Sequence, residues 1–303
     1  MKRKLGIYPA LVFAVLSIST AAVFVKLAGA PSAVTAFYRL FLTTLMLLPF
    51  LAFHKGNRKA LAAVTKKQLC LVVLGGVLLA IHYVMWFESL NYTSVASSTV
   101  LVTLQPLFSI VWGVLFLKER YGGRALLGCL IAIAGSVVIG WGDFQVSATA
   151  LFGDVLAFLA AGLISLYFLI GQVVRKEMPV VPYSVLAFFG SSIFLAVYAF
   201  VQGNLFTGYE RGTWLAFWGL ALITTICGQF VFNLLLKWVP ATMVSMSVLG
   251  EAVGTCILAW IILKEEISLR QGVGIVIILV GLALYFREQS RQKAGKEIKE
   301  KEW

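Results

Sequence analysis

Ten apolar runs dominate the chain, at roughly 5–27, 32–53, 68–88, 94–117, 123–141, 151–174, 182–202, 212–236, 240–263 and 269–286. A helix needs about 20 mostly apolar residues to cross a bilayer. The runs meet that length, and the intervals between them are short. They predict an all-α membrane protein of ten transmembrane helices. The 303 residues are 60 % hydrophobic and 13 % charged, where a soluble domain has about 25 % charged residues. Little chain is left for a soluble catalytic domain, and the composition excludes a disordered one.

The start imitates a signal peptide, with basic residues, an apolar run and then Ala28-Gly29-Ala30. The run exceeds the 7–15 residues of a signal h-region, so it is read as a helix of the mature protein. The net charge of +12 on a membrane protein points to basic cytoplasmic loops rather than to nucleic acid. With the N-terminus inside, the inner segments hold 20 Lys and Arg against 4 outside, Arg39 lying within the second run. Both termini are expected in the cytoplasm of a plasma-membrane protein. The tail 287–303 is read as a charged cytoplasmic extension. Cys70, Cys129, Cys227 and Cys256 lie in apolar runs as small hydrophobes. With two histidines in the chain, no metal cluster and no cofactor is expected.

A shift of 146 residues lays the chain on itself without gaps. Leu117, Lys118, Glu119, Arg124, Gly128, Ile131 and Gly135 fall on Leu263, Lys264, Glu265, Arg270, Gly274, Ile277 and Gly281. Leu5, Ala14, Ile18 and Ser19 fall on Leu151, Ala160, Ile164 and Ser165. The domains are therefore 1–146 and 147–286. Five helices per copy is an odd number, so the second copy enters the membrane inverted. Inverted repeats are a transporter architecture, with the solute site between the halves near the midplane.

This pattern of ten helices, a twice-used Leu-Lys-Glu and a Gly-x₆-Gly helix resembles the drug/metabolite transporter superfamily, EamA type, over about 5–286. Gln105-Pro106-Leu107 matches the family's proline on helix 4, and Phe37-Tyr38-Arg39 its helix 2 arginine. The family's Glu-Pro on helix 9 is Glu251-Ala252 here, a departure at the expected backbone break. The resemblance implies transport of small organic metabolites by alternating access. Amino acids and their relatives, and the export direction, rest on it alone. The multidrug branch uses a carboxylate on helix 1, which this chain lacks, so drug or cation efflux is the weaker alternative.

Polar groups in hydrocarbon cost roughly 2.5–3.5 kcal/mol each when charged at a helix centre, which makes the few present informative. Ser98, Gln105, Ser109 and Trp112 share one face of the fourth run. Ser247, Glu251 and Thr255 share one face of the ninth. The shift places Gln105 on Glu251 and Ser109 on Thr255. Two readings stand: the stripes line a cavity, or they join helices by hydrogen bonds. His82, Tyr83 and Trp86 on the third run and Gln229 and Asn233 on the eighth are further candidates, with an interfacial aromatic belt or plain packing as the alternatives. Arg39 pairs with Glu88 or meets a substrate carboxylate. Glu251 is the candidate for proton coupling. The Lys-Glu pairs are read as anchors at helix ends. Gly250 and Gly254, with the glycines of the fifth and tenth runs, allow close helix packing, within the chain or in a homodimer.

The chain carries no G-x-x-x-x-G-K-[ST], no HExxH and no GxSxG, so neither ATP hydrolysis nor those hydrolase chemistries is expected. An intramembrane enzyme would need Glu251 and His82 as a couple, and the runs put them at different depths. A scaffold without transport is the remaining alternative. The expected partners are a small-molecule substrate and the lipid bilayer.

Overall fold

The computed structural model describes residues 6–140, 147–258, 260–261 and 268–301. Lys2, Arg3, Lys4 and the second Lys-Glu pair, Lys264 and Glu265, lie outside them. The described residues form helices and connecting turns. Among the described residues, nine helices are long and apolar enough to cross a membrane, and Gly123–Ile139 is a shorter apolar helix. The protein is a multi-pass membrane protein.

Apart from the short helix Lys55–Ala62, the described helices in chain order are α1 (Ile7–Ala28), α2 (Ser32–Phe53), α3 (Lys66–Tyr92), α4 (Val95–Val102 with Gln105–Leu117), α5 (Gly123–Gly140), α6 (Ala148–Val174), α7 (Val180–Val201), α8 (Arg211–Leu235), α9 (Ala241–Leu258) and α10 (Leu269–Lys301). The tail expected to follow the last run continues α10 as helix to Lys301.

Local chemistry fixes where these helices begin. Thr65 and Gln68 form a reciprocal capping box at the start of α3, satisfying two backbone donors that a helix end leaves orphaned. Ser94 accepts from Ser97 N at 3.0 Å at the start of α4, and Ser147 accepts from Ala150 N at 3.1 Å at the start of α6.

Three spans are interrupted partway. Helix α1 breaks at Ser19–Thr20, between Ile7–Ile18 and Ala21–Ala28. The hydroxyl of Ser19 bonds Val15 O at 2.8 Å, and that of Thr20 bonds Ser17 O at 2.7 Å. Helix α4 breaks at Thr103–Leu104, just before Pro106, which has no N–H to continue the ladder. Helix α9 breaks at Leu249, between Ala241–Val248 and Gly250–Leu258. The break that Glu251-Ala252 left open is thus present without a proline, one residue before Gly250. In α8, Leu220–Gln229 is π-helical.

Equivalent helices of the two halves pack on one another. In α5 and α10, Gly128 meets Gly281 and Gly135 meets Gly274. The numbers rise along one helix as they fall along the other, so the pair is antiparallel. A Cβ at Gly135 would lie 2.8 Å from Gly274 O, and one at Gly128 would lie 2.9 Å from Gly281 O. Only glycine permits this approach, and it is made within one chain. Helix α2 packs on α7, and α4 on α9. Other contacts recur in exchanged pairs, among them α1 with α8 and α6 with α3, and α1 with α9 and α6 with α4.

At the turn after α4, Lys118 adopts a left-handed conformation with φ 54°. Glu119 is more than an anchor. It accepts from Tyr121 Oη at 2.6 Å and from Gln172 Nε2 at 2.9 Å. Gln172 Oε1 in turn accepts from Ala241 N at 2.5 Å, and Tyr121 Oη meets Thr242 Oγ1 at 2.7 Å. This clasp ties the ends of α4 and α6 to the start of α9. Burial first, and then the Glu119 carboxylate, raise the Tyr121 phenol above its ordinary range, which keeps it a donor.

Candidate functional site

A small cavity of about 40 Å³ lies among α1, α2, α3, α4, α6, α8 and α9. Seven of the polar and aromatic candidates line it: Arg39, His82, Tyr83, Trp86, Gln105, Gln229 and Glu251. The apolar wall is Ile18, Ala21, Val102, Ile164, Phe168, Phe232 and Val248. The cavity straddles the internal repeat. Ile18 and Ile164, Tyr83 and Gln229, Trp86 and Phe232, Val102 and Val248, and Gln105 and Glu251 are each 146 residues apart. The exceptions include both basic groups: Arg39 and His82 correspond to Val185 and Gly228.

Arg39 is 2 % exposed. Its Nε donates to Thr225 Oγ1 at 2.9 Å, and its guanidinium carbon sits 4.3 Å from the centre of the Tyr83 ring. Such a cation over a desolvated ring gains about 2 kcal/mol. The expected pairing with Glu88 is not made. Arg39 reaches across to α8, while Glu88 accepts from Asn91 Nδ2 at 3.3 Å and lines another hollow. Thr225 is a site residue that the pattern of the sequence did not single out. Its hydroxyl bonds Leu220 O, five residues back, at 2.8 Å, and the π-helical backbone sets it toward Arg39. Threonines are common in helices, and nothing local in the sequence marks a π-helix.

His82 Nδ1 lies 2.9 Å from Ala160 O. A carbonyl only accepts, so Nδ1 carries the proton. The ring stacks on Trp86 with centroids 6.0 Å apart. His82 and Glu251, expected at different depths, line the same cavity. Helix α3 extends to Tyr92, past the end of the apolar run, which brings His82 nearer its middle.

The other candidates lie outside the cavity. Ser98 bonds Ser89 at 2.6 Å, and Ser109 bonds Ser245 across the α4–α9 contact at 2.6 Å. Ser247 donates to Met243 O at 2.9 Å, and Thr255 to Ser19 O at 3.4 Å. Asn233 Nδ2 donates to Tyr167 Oη at 2.7 Å and to Ser184 Oγ at 3.2 Å. Trp112 packs beside Phe116.

Polar groups around the cavity are left without partners. Among the described residues, Arg39 Nη1, Tyr83 Oη, Trp86 Nε1, Gln105 Oε1 and Gln229 Nε2 are buried and find no well-directed hydrogen-bond partner. Each such group costs about 1–3 kcal/mol when left unmet. The Glu251 carboxylate has neither an ion pair nor a hydrogen bond among the described residues. Donors, an acceptor and both signs of charge therefore converge on one space. That space is far below the roughly 300 Å³ of a ligand pocket, so this conformation leaves only water-sized room there.

The chain matches the EamA-like transporter family twice, over residues 5–141 and 151–287. An uncharacterized transporter of Archaeoglobus fulgidus is 27 % identical, over 84 % of this chain and 87 % of the relative. The uncharacterized transporters YdfC and YetK of Bacillus subtilis are 24 % and 23 % identical, covering 83 % and 99 % of this chain and 80 % and 93 % of their own. A solved crystal structure superposes with a TM-score of 0.78 at 16 % identity, over 92 % of this chain and 96 % of the other, which speaks for the fold. Relatives of nearly full length are named as transporters rather than enzymes, and the two family matches together cover most of the chain. With its membrane-spanning helices and a polar space lined by both halves, the chain belongs to the EamA-like transporter family.

Proposed function

We propose that the protein is a secondary carrier that moves a small organic solute by alternating access between two inverted five-helix repeats, 1–146 and 147–286. The carrying observation is the cavity wall, where five pairs of residues stand at the repeat distance. The antiparallel contact of α5 with α10 supports inversion, and Gly123–Ile139 is read as the tenth span. Two similar halves in opposite orientation exchange conformations, opening one site to either side.

The solute carries an anionic group for Arg39 and a cationic or hydrogen-bonding group for Glu251, with an apolar body against Phe168, Phe232 and Trp86. Amino acids and their relatives have this form. Arg39 disfavours a substrate that is only a cation, which sets drug-cation efflux behind. The binding set is Arg39, His82, Tyr83, Trp86, Gln105, Gln229 and Glu251, joined by Thr225. The basic loops orient both termini toward the cytoplasm of a cell membrane, and the clasp at Glu119 then holds the inner ends of α4, α6 and α9 together. Export is the direction proposed.

Glu251 couples the flux to protons, since a carboxylate in hydrocarbon is costly to leave ionised and takes up a proton or a cationic group. Uptake of pooled metabolites into proteoliposomes, with and without a pH gradient, tests this. Glu251→Gln keeps the shape and removes titration. It is expected to insert normally and to lose most transport or its response to pH. Unchanged flux with an unchanged pH response would return Glu251 to a bracing role.

A further inference from the structure

A second hollow, about 480 Å³, opens where the ends of α3 and α7 meet the starts of α2 and α6. It shares no residue with the central cavity. Its rim holds Glu88, Tyr92, Phe152 and Tyr198, and its inner wall includes Met85 and Leu156. Tyr92 and Phe152 meet edge to face, with centroids 5.1 Å apart. Tyr198 Oη accepts from Gln202 Nε2 at 3.0 Å.

The lining changes character with depth. Tyr92 ends α3 and Phe152 lies in the first turns of α6, so both stand at a membrane border. Met85 lies seven residues before Tyr92, or about 10 Å along the helix, and Leu156 one turn below Phe152. The hollow is therefore anionic and aromatic at the border and apolar toward the membrane interior. Glu88 forms no ion pair among the described residues, and its one hydrogen bond is the 3.3 Å contact from Asn91. Lys26, at the end of α1, directs its ammonium to Leu90 O at 2.6 Å instead.

A scattered aromatic belt at the interface has neither a carboxylate lining the same space nor a hollow of this size. Aromatic faces beside a carboxylate select an ammonium group, and the apolar wall beneath selects a tail attached to it. We infer that this hollow is a binding site for an alkyl-ammonium amphiphile, the ammonium headgroup at Glu88, Tyr92, Phe152 and Tyr198 and the tail along Met85 and Leu156. A phospholipid of the surrounding leaflet with an amine headgroup has this form, as does an amphipathic cationic solute.

Native mass spectrometry of the full-length protein, equilibrated with phosphatidylethanolamine or phosphatidylglycerol, tests the inference without reference to transport. The wild type is expected to retain phosphatidylethanolamine about tenfold better than phosphatidylglycerol. Glu88→Gln, which keeps shape, is expected to abolish that preference, and Leu156→Trp, which fills the inner end, to lower retention of either lipid. Dodecyltrimethylammonium separates the sources. If it competes with the lipid and is not carried across proteoliposomes, the site serves the bilayer. If it binds through Glu88 and is carried while phosphatidylethanolamine is not retained, the ammonium site serves a solute. Equal retention of both lipids by the wild type without Glu88-dependent binding of the alkyl-ammonium would overturn the inference, as would a Glu88→Gln protein that behaves as the wild type with both probes.

Discussion

The contact between α5 and α10 and the space between α3, α4, α8 and α9 are both built from repeat-equivalent helices, and they are opposites. In the first, glycine backbones touch and no room is left. In the second, five buried polar groups face a cavity with no partner among them. Duplication supplied both, and the side chains decided which became a seam and which a site. A seam closed by backbone has no second arrangement at hand and suits a fixed pivot. A wall of unmet donors and acceptors costs free energy until water or a solute meets it, which under the proposed mechanism suits the part that opens.

The largest effect is expected from filling the seam. At Gly281 a side chain would collide with the backbone of Ala132 and Gly128, neither of which can turn aside. Overpacking costs typically 1–3 kcal/mol and occasionally more, so Gly281→Leu is expected to leave little folded protein, read as loss of a monodisperse peak in detergent chromatography. The same peak at the same yield would show the seam to be loose.

At the cavity, the effect falls on transport instead. Arg39→Ala removes both the bond to Thr225 and the charge offered to the solute. Transport is expected to fall about 100-fold, near 2.7 kcal/mol by the conversion of rates to energies, with the folded yield lowered less than in Gly281→Leu. Equal damage to yield would assign Arg39 to the framework and erase the contrast.

The smallest effect is expected where the two regions grade into each other. Ser109 and Ser245 bond only across α4 and α9. Ser109→Ala is expected to lower the melting midpoint by the equivalent of about 1 kcal/mol and to leave the apparent affinity for solute unchanged. A shift in affinity at constant stability would extend the cavity along the α4 stripe.

The helices were legible because a bilayer demands a length of apolar chain that few other structures need. Seven cavity residues were legible for the converse reason, being polar where hydrocarbon penalises polarity. The same signal also marked Ser98, Ser109, Ser247 and Thr255, whose hydroxyls are met by a nearby carbonyl or a serine on another helix segment. Composition does not distinguish a met hydroxyl from an unmet one. Ile18, Val102, Ile164 and Val248 were invisible for the opposite cause, since an apolar residue looks the same against solute, helix or lipid. The fate of Arg39 turned on which helix its long side chain reaches, and that depends on α8, far away in the sequence.

The π-helical stretch Leu220–Gln229 in α8 has a consequence for how this gene can vary. Its i→i+5 bonds hold more residues in each turn than an ordinary α-helix does. Removing one residue between positions 220 and 224 would let part of the segment relax toward regular α-helical winding and so limit the rotation of the rest of the span, through Leu235. The same deletion in a regular span such as α6 would rotate every later side chain by about 100° and turn its buried face to lipid. A short deletion in this part of α8 is therefore expected to be better tolerated than one in α6, with Thr225 turned away from Arg39.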